Sequence, residues 1–219
     1  RQMCIRDSYI TILVFSLFFS GYAGAQEFKL QNGDLIFQDS GVSNLEKSIQ
    51  EVTTSLDGYQ FTHVGMVYID DNDSVFVLEA TTPKLVLTPI NEYLYTKSSN
   101  GSTPRSVVGR LKSEYQPLIP EALKIGFTHL GKVYDYGFIL GNDNYYCTEL
   151  IYETLKLANN GTEVFHLAPM TFKDSKTGKT TEGWSKYFEK HQLPVPEGEL
   201  GISPGSMSLS DAVDIVYRY

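Results

Sequence analysis

Two runs of β-branched and aromatic residues, Phe61 to Ile69 (FTHVGMVYI) and Val75 to Ala80 (VFVLEA), are separated only by a polar turn around Asp70-Asp71-Asn72-Asp73. That pattern predicts a β-hairpin and commits this part of the chain to a sheet. Alternation places Phe61, His63, Gly65, Val67 and Ile69 on one face of the first strand, and Val75, Val77 and Glu79 on one face of the second. Register then decides which polar groups meet. With a three-residue loop, Asp70 to Asn72, Ile69 faces Asp73 and His63 falls directly opposite Glu79, their Cβ atoms ~4.5–5.5 Å apart. Asn72 would supply the left-handed residue that such a loop wants. A two- or four-residue loop would send the two side chains to opposite faces. Taken alone, His63 reads as a satisfied core histidine and Glu79 as a strand-end surface carboxylate; together they allow a carboxylate to orient an imidazole.

Elsewhere, Asn32-Gly33-Asp34 marks a turn before a short buried strand at Leu35-Ile36-Phe37. Residues 43–57 carry loose helical spacing, and Val86-Leu87 and Ser106 to Leu111 are further strands. Pro120 to Leu130 reads as a helix with Leu123, Phe127 and Leu130 on one side, stopped by Gly131. After a loop rich in Tyr, Gly, Asn and Asp, the residues Cys147, Leu150, Ile151, Thr154 and Leu155 recur at helical spacing, one face of a buried helix. A last helix lies around Trp184 to Lys190, and the Pro/Gly-rich LPVPEGELGISPG reads as a long ordered loop rather than a second domain. The Asn100-Gly-Ser and Asn160-Gly-Thr triplets match glycosylation acceptors but are read as turns.

The start of the chain stands apart. Tyr9 to Ser20 (YITILVFSLFFS) is an uncharged apolar run closing on Ala23-Gly24-Ala25. It is shorter than the ~20 residues of a membrane span and ends in a signal-peptidase pattern. Residues 1–25 are therefore expected to be a leader: 1–8 an artefact, 9–25 a signal peptide removed on export to the periplasm or beyond. Residues 26–219 then form a single domain without a stable membrane span. Of the 219 residues, 18 are Lys or Arg against 26 Asp or Glu, an acidic balance that excludes nucleic acid as the main partner. Only two cysteines occur, Cys4 and Cys147, and removing the leader leaves Cys147 alone. A lone thiol in an exported domain has no internal disulfide to make, which raises the weight of a reactive role. At a helix start, unpaired N–H groups and the dipole favour its thiolate. The competing reading is a small buried hydrophobe.

Gly131-Lys-Val-Tyr134-Asp-Tyr-Gly137, a spacer, and Cys147-Thr148-Glu149-Leu150 together resemble the nucleophile region of NlpC-type papain-like cysteine peptidases. Because the FTHVG strand precedes the cysteine, the order is that of the circularly permuted, YiiX/YebB-like branch. NGDLIF, VLEA, VVGRL, YDYGF and YYCTEL extend the resemblance through most of residues 26–219. It implies an α+β, papain-like fold: an antiparallel sheet or partial barrel packed against a helix that carries the cysteine at its N-terminus. It also implies Cys147 as nucleophile, His63 as general base, Glu79 in the third, orienting position, and Tyr134 near the oxyanion site. An aromatic core role for Tyr134 stays open beside that one.

Two departures from the family pattern stand out. Tyr146 stands where peptidoglycan-cleaving relatives carry an Asp that binds a substrate amine, and Thr148-Glu149 replace Ser-Gly. Tyr146, Thr148 and Asp135 are the substrate-binding candidates. Asp135 either substitutes for the missing carboxylate or fixes its own loop. The expected activity is that of a cysteine hydrolase of the peptidase or amidase class, working through a thioester without a cofactor or metal. Its substrate would be a small peptide, amide or acyl compound, with peptidoglycan fragments among them. A lipid-directed acyl hydrolase or acyltransferase, or a binding protein with an inert Cys147, are the alternatives.

Overall fold

The hairpin forms as a strand pair inside a six-stranded antiparallel sheet. The computed structural model describes residues 28–41, 43–95 and 103–219, so the leader and the Asn100 triplet lie outside the described residues. In chain order the elements are β1 (Leu35–Asp39), α1 (Asn44–Val52), β2 (His63–Ile69), β3 (Val75–Ala80), β4 (Leu85–Pro89), α2 (Ile90–Tyr95) and β5 (Arg105–Leu111). They continue with α3 (Ile119–Thr128), α4 (Cys147–Ala158), β6 (Ala168–Pro169), α5 (Glu182–His191), β7 (Leu200–Gly201), α6 (Pro204–Ser208) and β8 (Val213–Arg218). The main sheet runs β4-β3-β2-β1-β5-β8, and β6 and β7 make a separate two-stranded ribbon.

The β2–β3 loop has the expected three residues but sits one position later. Asp70 N donates to Ser74 O at 3.0 Å, so the loop is Asp71 to Asp73, and Asp73, not Asn72, takes the left-handed conformation at φ 61°. The reason lies in Asp70, whose Oδ1 accepts from the backbone N of Asn72 and Ser74 at 2.9 and 2.8 Å. Closing the turn through that side chain favours residue 70 as the last ladder residue. The ladder accordingly pairs Ile69 with Val75 and Met66 with Leu78. Its continuation sets Gly65, rather than His63, opposite Glu79. The slip is even in residue count, so His63 and Glu79 still share a face, now as diagonal neighbours.

Each face of the sheet has its own cover. On one, Val64, Met66 and Leu78 pack with Leu150, Ile151 and Leu155 of α4 and Leu123 of α3 in the main core. On the other, Ile36, Val67 and Val77 pack under Tyr93 and Leu94 of α2 in a smaller cluster. His63, Gly65 and Glu79 belong to this second face by alternation. His63 is also the first residue of β2, and there it meets the start of α4.

α4 buries the predicted face: Cys147, Leu150, Ile151, Thr154 and Leu155 are all buried. α3 stops at Thr128, so Leu130 lies beyond it and is exposed, and Gly131 follows at φ 85°. Asn160 and Gly161 are both left-handed, a turn as read. The C-terminal stretch is not one loop. β7 falls within residues 193–205 and α6 begins there, and further on β8 pairs with β5 to complete the sheet. That strand alternates buried Val213 and half-buried Ile215 with exposed Asp214 and Val216, an edge strand covered on one face only.

Candidate active site

Cys147 is the first residue of α4 and is buried. The N-terminus of α4 is held by Glu149, whose carboxylate accepts from Tyr146 N at 3.3 Å and Gly141 N at 3.2 Å. This is the backbone half of a capping box, and it ties the preceding loop to the helix. Burial pushes the Glu149 carboxyl up to about 8, against the pull of those two backbone N–H groups. Backbone N–H groups in the first turn of a helix lack intrahelical partners and favour negative charge beside them.

His63 Nε2 lies 2.5 Å from Glu79 Oε2. Cys147, at the start of α4, is the other side chain that acts on the imidazole. Burial by itself would lower the imidazole pKa. The interactions with Cys147 and Glu79 outweigh it and raise His63 to about 10. The sheet thus presents an imidazole that holds its proton, between a carboxylate and a thiol. Thr88 on β4 completes the line by donating its hydroxyl to Glu79 Oε1 at 2.5 Å. Gly65 makes the diagonal contact possible: a Cβ there would lie 3.3 Å from Glu79 Cβ and 2.3 Å from Val77 Cγ1.

Tyr134 is buried, its backbone N donating to Pro83 O at 3.0 Å. Burial first, and then the neighbouring Cys147, raise its hydroxyl well above the usual phenol range. Asp135 is buried too, and its two oxygens accept from Gly137 N at 2.8 Å and Ile139 N at 2.7 Å. Of its two expected roles, the loop-fixing one is what the geometry shows. Those bonds flank Phe138, a left-handed residue at φ 55°, and hold it in a conformation that L-residues with side chains rarely adopt. The Phe138 ring is thereby set against Tyr146 and Trp184, with centroids at 5.4 and 5.6 Å. Thr148 is fully buried and donates its hydroxyl to Ile202 O at 2.6 Å. Tyr146 is buried, and its hydroxyl lies near the Ile202 backbone without hydrogen-bond geometry.

Two clefts meet at these residues. One, of about 230 Å³, has Cys147 on its wall and is lined by apolar groups including Phe138, Met170, Phe172, Trp184 and Ile202. The other, of about 490 Å³, has His63 and Glu79 on its wall and carries more polar side chains than the first, among them Gln38, Ser40 and Thr88. Ile49, Thr62 and Tyr134 border both. Tyr134, Tyr146, Cys147 and Thr148 face the apolar cleft, and His63 and Glu79 the polar one; Asp135 lines neither. Sequence reasoning missed Thr88, Gln38 and the contribution of Ile202 to Pro204 to the apolar wall. Thr88 was within reach of it, since strand alternation puts residues 86 and 88 on the face of whatever residue 79 pairs with.

A thiol at a helix N-terminus, meeting an imidazole held on an antiparallel sheet by a carboxylate, defines the papain-like class of cysteine peptidases and amidases. Here the histidine strand comes first in the chain. Residues 29–217 match the model of the permuted papain-like amidase enzymes, the YaeF/YiiX or C92 family, and the chain belongs to that family. It is 32% identical over 147 residues to the uncharacterized protein YiiX of Escherichia coli strain K12, a match covering 67% of each chain. The crystal structure of metalloprotein YiiX from Escherichia coli O157:H7 superposes with a TM-score of 0.69 at 23% identity. That superposition covers 88% of this chain and 99% of the other, and it speaks for the fold.

Proposed function

We propose that this chain is an exported cysteine amidase that opens an amide bond through a thioester on Cys147. The observation that carries this reading is the hydrogen-bonded line Thr88–Glu79–His63, with Cys147 acting on the imidazole from the start of α4. In the proposed cycle the Cys147 thiol passes its proton to His63 as the sulfur becomes the nucleophile. The thiolate attacks the acyl carbon, and the imidazolium gives its proton to the departing nitrogen. Water then enters, returns a proton to His63 as its oxygen bonds the acyl carbon, and the thiolate leaves. The first-turn N–H groups of α4 and the Tyr134 hydroxyl are the donors available to the oxyanion. Tyr146 and Thr148 shape the cleft beside the thiol, and Asp135 acts through the Phe138 loop. Export rests on the apolar run from Tyr9 to Ser20 and the Ala23-Gly24-Ala25 site. It would bring peptides of the cell wall within reach.

The E. coli structure is described as that of a metalloprotein. Among the described residues of this chain, no three or more His, Cys, Asp or Glu side chains converge as metal ligands would. The steps above use the described side chains alone.

A second reading, hydrolysis or transfer of a lipid-type acyl group, is favoured by one observation, the apolar lining of the cleft that holds Cys147. Alkylation by iodoacetamide near pH 6 tests the common chemistry. Cys147 should react stoichiometrically in the native protein, and the reaction should be lost in His63→Ala. Labelling only after denaturation would sink the proposal. Muropeptides assayed beside phospholipids and acyl thioesters would then separate the two readings.

A further inference from the structure

The polar cleft contains one built feature that the chemistry above does not use. Gln38 on β1 is the direct cross-strand partner of His63, so the two side chains stand side by side on one face. Gln38 is 8% exposed and lines the polar cleft. Its Nε2 donates to Tyr93 O at 2.7 Å, which fixes the amide plane and leaves Oε1 without a partner among the described residues. The neighbouring polar groups are already engaged. Glu79 is held between His63 and Thr88, the Tyr93 hydroxyl donates to Ile36 O at 2.8 Å, and the Thr62 hydroxyl is turned toward Gln38 O at 3.4 Å. A carbonyl oxygen on a largely buried side chain, open to a cleft and given no donor by the described residues, is a site for a ligand's donor.

Which part of a substrate reaches it follows from the proton transfer. The departing nitrogen must lie against His63 to receive its proton, so the leaving group occupies the cleft that His63 lines, and the acyl group the cleft that holds Cys147. Gln38 is on the side of His63 away from Glu79, in sheet order β3-β2-β1. We propose that Gln38 Oε1 is a leaving-group subsite that selects amines carrying a second hydrogen-bond donor, a hydroxyl or an ammonium, a few bonds beyond the scissile nitrogen. The subsite rests on the thiol-amidase reading and adds the substrate class to it: an apolar acyl group joined to a polar amine.

Paired substrates test it. Amides with one common acyl group are made with ethanolamine, with 2-methoxyethylamine, in which the donor is capped and the ether oxygen kept, and with one end of ethylenediamine. Wild-type kcat/KM should favour the hydroxyl or amino member over the methoxy member by about 3–10-fold, the worth of one hydrogen bond. Gln38→Met should bring that ratio to about 1, and reading a ratio cancels any general loss of activity in the variant. If Gln38→Met does not fold, the wild type gives the answer alone. Partition of its acyl-enzyme between water and added free amine should favour ethanolamine over 2-methoxyethylamine by a similar factor. An active wild type that ignores the capped hydroxyl, or a preference that survives Gln38→Met, overturns the subsite while leaving the thiol chemistry standing. A native protein in which Cys147 neither alkylates nor acylates overturns both.

Discussion

Replacing Gly65 by Ala adds one methyl group at the point where the ladder brings β2 past Glu79. The new Cβ would lie 2.3 Å from Val77 Cγ1, 3.2 Å from Leu78 O and 3.3 Å from Glu79 Cβ. Carbon atoms rest at ~3.5–4.0 Å, so Val77 must retreat by roughly 1 Å and Glu79 by a few tenths. Val77 has little room to do so, being fully buried under α2. Overpacking of this kind costs about 1–3 kcal/mol, which at roughly 2–4 °C per kcal/mol for a domain of this size lowers Tm by about 2–12 °C. The site should suffer as well, because any shift of Glu79 acts on its 2.5 Å contact with His63. Thermal melts and the pH 6 alkylation rate of Cys147 read the two effects separately. Gly109→Ala is the control: its Cβ would meet Val213 Cγ1 at 2.6 Å and Phe37 Cε2 at 2.8 Å, crowding the sheet away from the site. It should lose stability and keep the alkylation rate. Wild-type melting together with a wild-type rate in Gly65→Ala would refute the register that sets residue 65 against Glu79.

Two further outcomes follow from the same geometry. His63 has its folded pKa raised from 6.5 to about 10, so the stability contributed by its proton is full below about pH 6.5 and is lost as pH rises through about 10. Melts across that range should converge on those of His63→Gln at the alkaline end, and a constant gap between the two proteins would contradict the assignment. Thr148→Val removes the donor to Ile202 O and leaves that carbonyl unpaired in a buried position, at a cost of about 1–3 kcal/mol. Denaturant unfolding should show the loss, with KM for apolar acyl substrates rising more than kcat falls because Ile202 walls their cleft; unchanged stability would argue against the tether.

Much of this arrangement was legible because its signals are local. Alternation around His63 and Glu79 survives an even slip in register, so their shared face was readable although the turn residue was misassigned by one. Asp70 and Asp73 compete for turn roles that Asp and Asn can all fill, and only the Asp70 side-chain bonds decide between them. The Cys147 helix was legible from five positions on one stripe. α2 was not, since six residues carry too few turns to show a period. Both clefts were invisible in the sequence because they are made by segments distant along the chain. Ile202 reaches Thr148 only after the C-terminal stretch folds back, and Gln38 reads as an ordinary strand-end amide until its pairing with His63 is known.

The order of elements along the chain has a bearing on how such a thiol comes into being. His63, Glu79, Thr88 and Gln38 all lie on strands made before Cys147 is synthesised. At roughly 5–20 residues per second, several seconds separate the appearance of the histidine from that of the cysteine. During that interval His63 and Glu79 can settle into a hairpin whose contacts are short in sequence, and such contacts form early. The thiol then reaches a receptor already built, and its meeting with His63 waits until α4 docks. A papain-like chain in the usual order releases its nucleophile first and must shelter it until the base arrives. The permuted order inverts that exposure, and in this chain the most oxidisable side chain of the site is also the last of its line to be made.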